Sequence, residues 1–223
     1  MVMIRGENLI KVFKRGRSVV NALNSVDFSI DRGEFVCITG RSGCGKTTFL
    51  NIIGFLDFPT SGDLYFEGKK VAFSNSEYMT VFRREHVGFV FQKIYLQSHL
   101  TVLENILLPL RYSGKDYEEG VKKANELLEI LEISNRADFF PNELSGGEAQ
   151  RVAIARSFIN SPDLILADEP TSELDTKSSS IIMKLLRDTS DKYNVSIVTV
   201  THDPLVLPYG DRVLYMEDGK FVK

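Results

Sequence analysis

The sequence predicts an α/β fold in three parts: a mainly parallel sheet covered by helices, an N-terminal antiparallel β region, and a helical subdomain in the middle of the chain. Three observations carry this expectation. Near the start, Val26, Phe28 and Ile30 are apolar while Asp27, Ser29 and Asp31 between them are polar, the period-two pattern of a half-buried strand. Towards the end, short apolar runs alternate with helical stretches, as in βα units that build a parallel sheet. From about 92 to 142 the pattern becomes helical, so residues 1–91 and 143–223 form the core and 92–142 the inserted subdomain.

Taken in order, Asp31-Arg32-Gly33-Glu34 reads as a turn that ends the antiparallel region. FVCIT (35–39) is a short apolar run with the composition of a buried strand, and a helix follows from 47 to about 53. A helix over 77–85 leads into a strand over 87–91. Thr101 and Glu104 form T-x-x-E, a capping box that starts another helix. Residues 116–131 are rich in Glu, Lys and Leu at helical spacing. LILAD (164–168) and SIVTVT (196–201) are buried strands on either side of a long helix over 176–193.

The chemistry starts at GRSGCGKT, residues 40–47, which fits G-x-x-x-x-G-K-[ST] between a strand and a helix. This makes the core that of a P-loop NTPase. The cradle runs through Arg41, Ser42, Gly43, Cys44, Gly45, Lys46, Thr47 and Thr48. Backbone amides of Gly43, Gly45, Lys46 and Thr47 are expected to face β-phosphate oxygens. Lys46 adds charge across the β- and γ-phosphates, and Thr47 offers a hydroxyl to Mg²⁺. Cys44 reads either as a small filler or as a thiol activated by the helix start and Lys46, reactive to maleimide and protected by MgATP. LILADEP ends a buried strand on Asp168 with Glu169 beside it. Carboxylates rarely end such a strand unpartnered. Asp168 is therefore expected to serve Mg²⁺, and Glu169, on the opposite side by period two, to orient the attacking water. Gln92 after GFVF and His202 after SIVTVT also follow strands, whose C-terminal ends gather at a ligand crevice. His86 and His99 read as surface residues, and no Cys/His spacing suggests zinc.

A second phosphate cradle is written in LSGGEAQR, residues 144–151. Ser145 and Glu148 form S-x-x-E, a capping box. A capping box does not need Gly146 and Gly147 at the first helical positions, where they weaken the helix. Glycine there allows a ligand close to the backbone. With these motifs in this order, GxxxxGKT, LSGGEAQR, LILADEPTSELD and THD, nearly the whole chain resembles an ABC-type ATPase. The resemblance implies that Phe13 stacks on adenine and that Gln92 senses γ-phosphate and Mg²⁺. It implies that Ser145, Gly146, Gly147 and Glu148 form the signature loop and that Asp175 lies in a loop crossing a dimer. Glu169 matches the catalytic glutamate and His202 the switch histidine. It further implies that the signature of one copy closes over ATP held by another. GFVFQ followed by LTVLENILLPL is similar to the ATPases of lipoprotein-releasing and macrolide-exporter type systems, with relatives in cell division. That implies an integral membrane permease as partner, docking between Leu96 and Leu110, with Leu96 and Leu100 as contacts. Two positions depart from these relatives. Ser98-His99 stands where many have proline, and Glu173 replaces an alanine at the expected dimer interface.

Composition narrows the functions further. The chain has 223 residues, 43% hydrophobic and 26% charged, with a net charge of −3, so the basic excess of a nucleic-acid binder is absent. Two cysteines, Cys37 and Cys44, fit a reducing cytosol better than a disulfide framework. The opening MVMIRGENLI lacks a signal-peptide run, and no stretch has the ~20 apolar residues of a membrane span. The expectation is an ATP-hydrolysing subunit at the cytoplasmic face of a membrane, held there by its permease. Alternatives are a transmembrane-signalling ATPase without transport, and a nucleic-acid repair head, which needs a coiled-coil or zinc insertion not written here.

Overall fold

The computed structural model describes residues 1–16, 18–73 and 76–222. Its first layer is an antiparallel sheet in the order β2-β1-β4-β5, made of β1 (Val2–Arg15), β2 (Ser18–Asp31), β4 (Ser61–Phe66) and β5 (Lys69–Lys70). Val26, Phe28 and Ile30 point into the core as their alternation predicts. The β1–β2 register slips at Lys11/Val12, where Lys11 faces Leu23 but Val12 faces Asn21. Ala22 is the extra residue, so β2 bulges there.

The second sheet has the order β10-β9-β3-β8-β7-β6. It contains β3 (Phe35–Thr39), β6 (Val87–Val90), β7 (Leu164–Asp168), β8 (Ser196–Val200), β9 (Arg212–Glu217) and β10 (Lys220–Val222). Every pairing is parallel except β9–β10. Strands β3, β7 and β8 are predominantly apolar because helices cover both faces; Ser196 and Thr199 are the polar residues buried in β8. On one side α1 (Lys46–Ile53) buries Phe49, Leu50, Ile52 and Ile53 between the two sheets. Nearby, α2 (Ser76–His86) packs Phe82 against Phe55 and Phe66. His86, expected at the surface, is half-buried: its ring lies 4.3 Å from that of Phe82, and Nδ1 is 2.7 Å from Asp163 Oδ2.

The other side carries α3 (Val102–Leu107), α4 (Tyr117–Ile130), α5 (Gly146–Phe158) and α6 (Thr176–Tyr193). Val102 and Ile106 of α3, Leu127 of α4 and Ile154 and Phe158 of α5 share one apolar cluster with Ile165 of β7 and Ile182 of α6. The Thr101–Glu104 capping box is formed. Leu96 packs against this cluster and Leu100 is half-buried, whereas Tyr95 is 57% exposed. The fully exposed surface of this segment is therefore aromatic and polar, and the leucines expected to meet a partner are partly buried. Among the described residues, no helix is long and apolar enough to cross a membrane.

Candidate functional site

Four parallel strands deliver chemistry at their C-terminal ends. Strand β3 leads into the glycine loop, β6 into Gln92, β7 ends on Asp168, and β8 leads to His202. The glycine loop turns into α1 at Gly45, whose φ is 111°. A Cβ on Gly45 would lie 2.3 Å from the carbonyl oxygen of Ala22, so the bulge in β2 requires glycine here. No side chain caps α1, and its first amides are left for an anion.

These elements surround a cleft of about 750 Å³. Arg41, Ser42, Gly43, Gly45, Lys46, Thr47 and Thr48 line its floor. Gln92, Asp168, Glu169 and His202 form one wall, and Phe13 of β1, 42% exposed, forms the opposite one. Sequence reading missed Val20 and Ala22, which also line the cleft, and Val20 is paired with Phe13. The Lys46 ammonium reaches back over the loop, donating to the carbonyls of Gly40 at 2.8 Å and Arg41 at 3.1 Å.

Cys44 alone among the loop residues departs from expectation. It is 7% exposed, packs in the core under the cleft, and does not line it. Its amide donates to the Arg41 carbonyl and its carbonyl accepts from Gly219. The thiol is buried in this conformation, with Lys46 Nζ 3.9 Å from Cys44 Sγ.

Asp168 and Glu169 take different partners, but not by facing opposite sides of a strand. The strand stops at Asp168, and Glu169 adopts a left-handed φ of 49°, so both carboxylates line one cleft. Burial, reinforced by the neighbouring Glu169, pushes the Asp168 pKa up; the Thr47 hydroxyl and Lys46 only partly offset this. Glu169 Oε1 lies 2.8 Å from His202 Nδ1, and the His202 amide donates to Oε2 at 3.3 Å. No group of three His, Cys, Asp or Glu able to hold a metal occurs among the described residues. The donor set suits a hard cation completed by phosphate oxygens and water, because Asp168 and Thr47 supply only oxygens and Asp168 lacks a full countercharge.

The second cradle forms a separate cleft of about 510 Å³ lined by Ser145, Gly146, Gly147, Glu148, Glu173 and Asp175. The capping box is complete, with the Ser145 hydroxyl donating to Glu148 Oε2 at 2.7 Å. Glu148 is thus turned towards its own loop, with Oε1 accepting from Arg136 Nε at 2.7 Å. Asp175 caps α6, accepting from the amides of Lys177 and Ser178. Sequence reading missed Gln150, which is 2% exposed and donates to the Pro170 carbonyl at 2.7 Å, tying α5 to the residue after Glu169.

Bonds from Ser145 and Arg136 hold the Glu148 pKa down to about 2, from an ordinary 4.5. A lowered carboxylate pKa stabilises the fold above the unfolded value and loses that effect as pH falls towards the folded one. The difference in melting temperature between wild type and Glu148→Gln should therefore be constant above about pH 5 and shrink below it. Thermal scans from neutral pH down to about pH 3 check this; a difference that grows on acidification would contradict the assignment.

Residues 23–172 match the family model described as ABC transporter. The chain is 46% identical over 222 residues to the uncharacterized ABC transporter ATP-binding protein MJ0796 of Methanocaldococcus jannaschii, covering 98% of this chain and 94% of that one. It is 38% identical over 221 residues to the macrolide export ATP-binding/permease protein MacB 2 of Yersinia pestis bv. Antiqua, covering 99% of this chain but only 32% of the relative. A solved dimeric structure of MJ0796 in a post-hydrolysis state, bound to ADP and Pi, matches with a TM-score of 0.89 at 43% identity, over 99% of this chain and 97% of that one. The chain therefore belongs to the ABC transporter family, as one of its ATP-binding, ATP-hydrolysing cassettes.

Proposed function

We propose that two copies of this chain close around ATP, the first cradle of each facing the second cradle of the other, and that closure drives a membrane permease. The observation that carries this reading is that the two clefts share no lining residue. The first has a lysine, an aromatic wall and acidic groups. The second has free helix-start amides, and its one lining cation, Arg151, is already bonded to the Leu131 carbonyl and Glu132. The first cleft alone has the lysine and the aromatic wall, and the second adds a further set of helix-start amides. In the same reading Phe13 stacks on the base, the amides after Gly43 hold the β-phosphate, and Lys46 moves from its carbonyls to the phosphates. Thr47, Asp168 and Gln92 hold Mg²⁺, which when bound neutralises charge on the β- and γ-phosphates. Glu169 accepts a proton from the attacking water, and His202 holds that carboxylate in place.

The MacB relative carries a permease in the same chain, as its name states, and this chain spans only a third of it. The permease served here is a separate protein or segment, and the cassette sits against the cytoplasmic face of its membrane. Its docking surface is the loop after Gln92, where Phe91 and Tyr95 lie 6.0 Å apart edge to face and Arg156 donates to the Tyr95 carbonyl. Charge introduced at the exposed Tyr95 tests this directly. Tyr95→Glu should lose copurification with the permease while the isolated cassette hydrolyses ATP at the wild-type rate. Retained binding with lost activity would make the loop part of the catalytic core.

A further inference from the structure

Lys11 sits where a strand facing the protein interior would ordinarily carry an apolar side chain, and it is only 6% exposed. Buried ammonium groups are costly without partners. Here Nζ donates to Asp57 Oδ1 at 2.6 Å and to the Phe58 carbonyl at 2.7 Å. It also lies 5.0 Å from the ring centroid of Phe13 and 4.7 Å from that of Phe58. Lys11 and Phe13 are two apart on β1, hence on one face of the strand.

The partners matter because of where they lead. The amides of Leu56 and Asp57 both donate to the carbonyl of Asn51, in the last turns of α1. The other end of α1 is the phosphate loop. Beside Lys11, the Val12 amide donates to Thr60 Oγ1 at 3.0 Å and the Thr60 amide to the Ile10 carbonyl at 2.7 Å. This segment of β1 is thus fastened to the chain leaving α1 through Lys11, Val12, Asp57 and Thr60, none of which lines the cleft.

We propose that Lys11 is a positioning residue for the nucleotide base. Its ammonium engages one face of the Phe13 ring and leaves the other for the purine. A cation on one face draws ring electron density towards itself, which favours an electron-rich base on the opposite face. Through Asp57, the same ammonium fixes the spacing between the aromatic platform and the phosphate cradle. The inference rests on Phe13 being the base platform.

Equilibrium binding of ATP and of inorganic tripolyphosphate, both with Mg²⁺, separates these roles. Lys11→Met should weaken ATP binding by roughly 3- to 30-fold, the range of cation–ring contacts from exposed to desolvated, and leave tripolyphosphate binding unchanged. KM for ATP should rise with kcat unchanged, and Lys11→Arg should restore most of the affinity. In a Phe13→Ala background, Lys11→Met should have no further effect on ATP. Equal losses for ATP and tripolyphosphate would overturn the proposal, as would unchanged ATP affinity in Lys11→Met when Phe13→Ala loses affinity. Unchanged ATP affinity in Phe13→Ala would instead remove the platform reading itself. If Lys11→Met does not fold because Asp57 is left unpaired, Lys11→Met/Asp57→Asn carries the same comparison.

Discussion

Glu169→Gln should hydrolyse ATP about 10²- to 10⁴-fold more slowly than wild type, the ordinary contribution of a general base, yet still bind it. Glutamine has the same shape and keeps an oxygen for the His202 amide, which now donates to Oε2 at 3.3 Å. What it loses is the ability to take a proton. The dimer should therefore form on ATP and persist, because hydrolysis no longer separates it. Single-turnover hydrolysis and gel filtration with ATP read the two effects independently. Near-normal hydrolysis would place the base on another residue, and loss of ATP binding would give Glu169 a role in holding the nucleotide.

Lys46→Ala should show the opposite pattern. A charge-assisted bond to phosphate contributes about 1.5–3 kcal/mol, so ATP affinity should fall by roughly 10- to 100-fold. Lys46 bonds to the carbonyls of Gly40 and Arg41 and to the Cys44 thiol, all within its own loop, a length of backbone that Gly45 and Ala22 already hold in place. The melting temperature without ATP should consequently change little, while the rise on adding ATP should disappear. Unaltered ATP affinity would contradict the assignment of this loop to phosphate.

Much of this was legible in the chain because the motifs and the patterning agree. LILAD is apolar at every buried position, and SIVTV at all but Ser196 and Thr199, as strands covered on both faces are, and each leads an acidic or basic group to the same crevice. The capping boxes at Thr101 and Ser145 are local, so four residues suffice to read them. The misreadings have one physical origin, contacts made between distant segments. Period two placed Glu169 opposite Asp168, but the left-handed turn that follows β7 is stabilised by the Glu169 amide donating to Val200, a residue of another strand. The sequence leaves Cys44 open between a filler and an activated thiol, because its burial depends on how the loop folds; the loop packs it in the core beneath the cleft. Leu96 looked free because its packing partners lie in the cluster built by α3, α5 and α6. Val20 and Ala22 carry no signal as cleft residues, since only the bulge in β2 brings that strand against Gly45.

The central claim is that the two cradles of one chain serve two different ATP molecules, and occlusion in a mixed dimer measures it most directly. In a Glu169→Gln background, one tagged chain carries Lys46→Ala and a differently tagged chain carries Ser145→Arg, which fills the second cradle by bulk. If cradles pair across the dimer, both defects fall in one site and the other site is wholly intact. The mixed dimer should then occlude one ATP while neither homodimer occludes any. If both cradles of a chain served the same ATP, every site would be broken. A tethered dimer with both intact cradles in one site is the control that closure can proceed on a single nucleotide. With that control closed on one ATP, a verified mixed dimer that occludes none would contradict the account.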